Sequence, residues 1–291
     1  MVPSGHQAGL RPRDHLVLAD LAAYRYLTAS QIARLRFGHI KLAQRRLRRL
    51  VDLQVIERFQ SHRLGRLGFR EWTYRLSPTG AAVAAEQLGL PLNAVKPPIR
   101  EPRGESYLAH HRDLTDFRIW LDEGRRQSAG VFEVRLVPGY EEHRVDGRRQ
   151  RRVAIPRQAG RGGVVPDAVF SLTRNDGRSA LFMVEIDRGT EALTGGRSNT
   201  IEAKLRRYGE VFDAKAEATF STMFDREFDG FRVLFVVPDQ RRVAATLRIA
   251  VDVGFDPLVW VAVKREFASP GDLAAQIWQD RPAGGGRALI E

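Results

Sequence analysis

The chain has 291 residues, enough for two domains, and its 43% hydrophobic content is that of a globular protein. It contains no cysteine, which excludes disulfides, thiolate-held zinc and cysteine nucleophiles. The formal net charge is +12, and the sequence has neither an apolar leader nor an apolar run of about 20 residues, so it predicts a cytoplasmic protein with no membrane partner.

The charge is unevenly placed. Residues 1–100 hold 17 Lys or Arg against 6 Asp or Glu, while the rest of the chain holds 30 against 29. A preference for Arg codons accounts for 42 Arg beside 5 Lys, but not for the shortage of acids in the front third. A basic surface attracts polyanions and gains affinity by releasing the counterions condensed on DNA.

Apolar residues at Leu16, Val17, Leu21 and Tyr24 have helical spacing and predict a first helix over residues 14–26. Thr28 followed by Gln31 is a capping box, so a second helix starts there, and Gly38 can end it. A third helix over 41–53 is expected to turn Leu42, Leu47, Leu50 and Val51 inward and to expose Lys41, Gln44, Arg45, Arg46, Arg48 and Arg49. Residues 55–62 read as a strand, 63–69 as a turn with Gly65 and Gly68, and 70–76 as the returning strand. Ser77-Pro78-Thr79-Gly80 then opens a further helix over 81–88.

Three helices and a hairpin are the plan of a winged helix-turn-helix, with its third helix in the major groove. The candidate DNA contacts are Lys41, Gln44, Arg45, Arg48 and Arg49 on that helix and Arg63, Arg66 and Arg70 on the hairpin, with Arg58 and His62 nearby. A solvated helix face would account for the first set alone. The second basic element, where a wing meets DNA, favours double-stranded DNA as the partner. The expected layout is a DNA-binding domain over 10–90, a Pro-rich linker over 91–104, a second domain over 105–280 and a flexible tail over 281–291.

In the second domain a helix is expected over 107–123 and a strand over 131–138, then a polar stretch over 141–163 that reads as a surface hairpin or loop. Strands at 168–172, 179–186, 231–237 and 258–263, with helices at 200–212 and 241–251, predict a mixed sheet flanked by helices, an α/β fold (α+β for the whole chain). Asp167 opens the second of these strands, and Glu185 and Asp187 close the third on one face, since side chains repeat every two residues. Three converging carboxylates suit a hard cation, Mg²⁺ or Mn²⁺, which can activate water and neutralise charge on a phosphodiester. Lys204 on the next helix can steady the scissile phosphate or the hydroxide, and Arg207 with Tyr208 can hold the strand. The competing explanation is structural: Asp167 caps a turn while Glu185 and Asp187 pair with Arg188 and Arg207.

The pair Pro166-Asp167 and the acid Glu185 resemble the PD-(D/E)XK nuclease superfamily, with Asp187 where that pattern carries its lysine. The resemblance implies a restriction-endonuclease-like sheet, a lysine moved to the following helix as Lys204, and Asp167, Glu185 and Asp187 as metal ligands. It also implies a further acid on the first helix of the domain, Glu105 or Asp113. Over residues 14–240 the chain resembles the replication-relaxation family of plasmids and mobile elements. The resemblance runs through Leu27-Thr28, Gln31-Ile32, Arg46-Leu47, Leu50, Leu76 to Gly80, Val165-Pro166-Asp167-Ala168, the run Glu185 to Glu191, Lys204 and Tyr208.

These readings lead to a DNA nickase or endonuclease aimed by its winged helix. The alternatives are a non-catalytic regulator of transcription or replication, whose nuclease-like domain serves dimerisation or partner binding, and a replication accessory that opens or marks DNA. No histidine cluster accompanies a tyrosine in the way covalent nicking requires. No organic cofactor is expected, and a homodimer is left open.

Overall fold

The computed structural model describes residues 9–60, 71–95, 104–128, 130–145, 147–155, 163–196, 199–282 and 284–290. The chain divides into two compact units, residues 1–116 and 117–291. No helix among the described residues is long and apolar enough to cross a membrane.

In the first unit α1 (Pro12–Tyr24), β1 (Leu27–Thr28), α2 (Ala29–Ile32), a π-helical turn (Ala33–Phe37), α3 (Ile40–Asp52), β2 (Ile56–Gln60), β3 (Trp72–Leu76) and α4 (Pro78–Leu88) follow one another. The three strands pair antiparallel in the order β1-β3-β2. The capping box forms as expected: the Gln31 amide donates to Thr28 Oγ1 at 3.3 Å, and the Thr28 amide donates to Gln31 Oε1 at 2.9 Å. Gly38 ends the π-helical turn at φ +68°, the left-handed region that glycine occupies without strain. Ser77 caps α4 by accepting from the Gly80 amide at 3.0 Å. A Cβ on Gly80 would lie 1.8 Å from the Val55 carbonyl oxygen, so the Leu-Ser-Pro-Thr-Gly step needs its glycine for close approach.

Two buried carboxylates tie these helices together. Asp20 of α1 takes a bidentate guanidinium from Arg36, at 2.6 Å to each oxygen. Asp14 takes Arg46 of α3 in the same way and accepts the Arg11 amide, closing the start of α1. Arg46 is therefore a structural arginine. Leu42, expected inside, is 44% exposed, and Ala43 takes the buried position one residue on.

α5 spans Gly104–Gln127, and the boundary between the units falls within it rather than at the expected 104/105. Its first half belongs to the first unit because buried polar groups bind it there. His111 Nε2 lies 2.9 Å from the Tyr24 carbonyl oxygen, and Gln31 Nε2 donates to Asp116 Oδ1 at 2.7 Å.

The second unit contains β4 (Phe132–Pro138), β5 (Glu142–Val145), β6 (Arg148–Arg151), β7 (Ala168–Arg174), β8 (Ser179–Ile186), α6 (Ile201–Asp213) and α7 (Ala218–Phe224). It continues with β9 (Arg232–Val237), α8 (Gln240–Asp252), β10 (Val259–Val263), β11 (Trp278–Gln279) and β12 (Gly286–Arg287). Seven strands form one mixed α/β sheet in the order β12-β11-β10-β9-β8-β7-β4. β4, β7 and β8 run antiparallel; β8, β9 and β10 run parallel through the crossovers α6–α7 and α8. Val169, Met183, Val233 and Phe235 on the sheet pack with Leu205, Tyr208, Val243 and Leu247 of α6 and α8 in one core. On the other face, Phe170 and its cross-strand partner Phe182 stack at 4.7 Å, and Phe170 meets Phe117 of α5.

The polar stretch after β4 holds the β5–β6 hairpin, as expected of a surface hairpin. Residues 281–291, expected as a flexible tail, contribute β12. It pairs with β11, while the Leu289 amide donates to the Leu273 carbonyl at 3.0 Å and Leu289 is buried. α7 also has no counterpart among the expected elements; Phe220 and Phe224 anchor it in the core.

Candidate functional site

The carboxylates stand where β7 begins and β8 ends. Asp167 sits one residue before β7, and its Oδ2 accepts the Ile186 amide at 2.8 Å. Its own amide donates to the Val184 carbonyl at 2.9 Å, which holds it against the last turn of the β8 ladder. Glu185, 3% exposed, points toward α6. One of its oxygens takes the Lys204 ammonium at 2.9 Å, and the other takes the Tyr208 hydroxyl at 2.5 Å. Lys204 and Tyr208 are four residues apart and so share one face of α6. Thr200 starts that helix by accepting the Ala203 amide at 3.1 Å. Glu191 completes the cluster, with an oxygen 3.2 Å from the same ammonium.

Burial pushes the Glu185 carboxyl up, the Lys204 ammonium pulls it back down, and the charge of Asp167 pushes it up again; the balance lies above its ordinary value. Burial alone would lower Lys204, but Glu185, Asp167 and Glu191 together hold its ammonium above its usual range. Tyr208 is pushed well up by burial and by the adjoining Glu185 charge. Asp167, Glu185, Lys204 and Tyr208 thus form one electrostatic unit, in which Tyr208 serves Glu185.

Asp187, expected beside Glu185 in a ligand set, pairs with a different helix. β8 ends at Ile186, and Asp187 Oδ1 accepts the Gly189 amide at 2.8 Å while Oδ2 takes Arg242 Nε of α8 at 2.5 Å. Arg242 also donates to the Glu191 carbonyl at 2.7 Å, fixing the 187–191 turn. Glu185 is claimed by α6 and Asp187 by α8. Among the described residues no three His, Asp or Glu side chains are grouped to hold a metal. Glu185 and Asp187 each have both oxygens hydrogen-bonded within the protein, Glu185 to Lys204 and Tyr208 and Asp187 to the Gly189 amide and Arg242. Arg207, expected on a DNA strand, donates to the Ala203 carbonyl of its own helix at 3.1 Å. Sequence reasoning missed Arg242: it lies 55 residues from Asp187, and nothing local marks it.

The basic candidates of the first unit have a different environment. Lys41, Gln44, Arg45, Arg48 and Arg49 are all exposed on α3, and none forms an ion pair among the described residues. His39 caps the helix by accepting the Lys41 amide at 3.2 Å. Arg63, Arg66, Arg70 and His62 lie outside the described residues. On the described strands, Arg58 of β2 stacks over Trp72 of β3 at 4.4 Å. The two nearby acids are occupied: Glu57 binds Arg75 at 2.8 Å, and Glu71 accepts the Ser30 amide at 2.7 Å.

Lys204→Met is expected to destabilise the protein by about 3 kcal/mol at pH 8, the cost of leaving a buried charge unpaired. Without the ammonium, Glu185 in the folded chain holds its proton to a higher pH than in the unfolded chain. Stability is then lost as pH rises above the ordinary glutamate value, so the variant should lie closer to the wild type at pH 5 than at pH 8. Urea unfolding at both pH values measures this; an equal difference at both would contradict the network.

The replication-relaxation family is matched over residues 18–226, a stretch that includes α3, Asp167, Glu185, Lys204 and Tyr208. No curated protein and no solved structure matched the chain. With well over half its length matched, the chain belongs to the replication-relaxation family.

Proposed function

We propose that the protein binds double-stranded DNA of a plasmid or other mobile element through its first unit. The observation that carries this reading is the face of α3: five polar or basic side chains, exposed together, with no carboxylate paired to any of them among the described residues. The family supports a DNA-related role. The order α1-β1-α2-α3-β2-β3, with sheet order β1-β3-β2, supports a winged helix-turn-helix whose third helix enters the major groove. Changing Arg45 and Arg49 together to Ala is expected to weaken duplex binding by about tenfold or more, since each such contact releases counterions. Fluorescence anisotropy at fixed salt measures the loss; unchanged affinity would remove α3 from the interface.

For the second unit, the antiparallel β4-β7-β8 meander and parallel β9 supply a nuclease-like frame. The ion-paired state of its acids favours a regulatory or partner-binding role. A metal-dependent endonuclease or nickase is the second reading, favoured by one observation: Asp167, Glu185 and a lysine from the following helix meet at one place. The two readings part in a supercoiled-plasmid assay with Mg²⁺ or Mn²⁺. The regulatory reading expects intact plasmid; nicking that Glu185→Gln abolishes would establish the enzyme.

A further inference from the structure

Beside the outward face of α3 the first unit has a cavity of about 540 Å³. The start of α1 gives it Arg11 and Arg13, α3 gives it Leu42, Arg45 and Arg49, and the π-helical turn gives it Phe37. Five arginines line it; Arg46 is held by Asp14, and the other four, Arg11, Arg13, Arg45 and Arg49, are exposed and form no ion pair among the described residues. The one carboxylate in the lining, Asp14, is fully buried and already taken by Arg46 and the Arg11 amide, so it neutralises none of the four. Arg13 lies over the Phe37 ring at 5.3 Å, which places that guanidinium at the apolar end of the cavity.

Like charges gathered in a concavity repel one another, and a bound anion relieves that repulsion. The planar fork of a guanidinium matches phosphate oxygens two at a time. Four such groups exceed what a single carboxylate would use, and Phe37 with the 44%-exposed Leu42 offers an apolar wall beside them. A phosphate carrying a sugar fits that combination: charge on one side, C–H surface on the other.

Position then selects the source. Residues 42, 45, 46 and 49 form one stripe of α3 at helical spacing, flanking the stripe of Lys41, Gln44 and Arg48. Arg45 and Arg49 therefore border both the exposed face and the cavity. We propose that this cavity is a seat for a nucleotide phosphate, and that on DNA it takes a backbone phosphate of the strand beside the groove that α3 enters. The inference rests on the reading of the first unit as a DNA-binding domain and adds Arg11, Arg13, Phe37 and Leu42 to its interface. Such a contact fixes the register of the helix on the duplex and carries no base information itself.

The test uses the full chain with Arg11→Ala and Arg13→Ala combined, titrated with labelled duplexes of unrelated sequence, and with ATP and inorganic phosphate as competitors. Both side chains are exposed, so the melting temperature should not change, and Arg11→Lys with Arg13→Lys should recover most of the binding. The expected result is the same loss for every duplex, on the order of tenfold, with a salt slope shallower by about 1. Unchanged affinity in this variant, with Arg45→Ala and Arg49→Ala still impaired, would overturn the seat and leave the DNA-binding reading standing. Binding of ATP by the wild type but not by the variant, without any duplex binding, would keep the seat for a free nucleotide and overturn the DNA reading. A wild type that binds neither duplex nor ATP would overturn both.

Discussion

A carboxylate buried without a partner is costly enough that it either changes protonation or unfolds what surrounds it. Asp14 and Asp20 sit inside the first unit because Arg46 and Arg36 reach them. Those two pairs fasten α3 and the π-helical turn to α1, and so set which arginines remain outside. Arg46 is bound inward while its neighbours Arg45, Arg48 and Arg49 stay exposed. The basic surface thus follows in part from internal pairing: Asp14 and Asp20 are used in holding the helices, and Arg45, Arg48 and Arg49 face solvent. Both the proposed groove contact and the phosphate seat depend on that division.

The second unit uses charge in the opposite way. Each acid near the end of β8 has its own basic partner, Lys204 for Glu185 and Arg242 for Asp187, and the partners come from different helices. Buried acids near one another repel, and the arrangement answers this by placing a cation or a hydroxyl against each oxygen of Glu185. Such a network orders the sheet end and its turn. The same placement brings Asp167, Glu185 and Lys204 together, which is why a cutting role remains the second reading.

Much of the fold was legible because periodicity reports burial. The apolar run within residues 179–186 gave β8 with its bounds, and Thr28 with Gln31 marked the helix start through two backbone bonds. The misreadings share a cause: the contact that decided them is distant in sequence. Alternation would put Glu185 and Asp187 on one face of a strand, but β8 ends at Ile186, and the strand pattern cannot say that Arg242 will take Asp187 and Lys204 will take Glu185. Leu42 fits the apolar stripe as well as Ala43, and the stripe alone does not select between them. The end of the chain looked loose because two-residue strands such as β12 carry no periodic signal. At the candidate site, Asp167, Glu185 and Lys204 were readable from short motifs, whereas the seat beside α3 needs Arg11 and Arg13 brought next to Arg45 and Arg49 by folding.

The central claim is that unpaired basic side chains of the first unit bind duplex DNA by displacing its counterions. The direct measurement is the affinity of the unmodified chain for a random-sequence duplex across a range of salt concentrations. Five or more phosphate contacts predict a slope of log affinity against log salt of about −4 or steeper. A slope near zero, or no binding at low salt, would contradict the account.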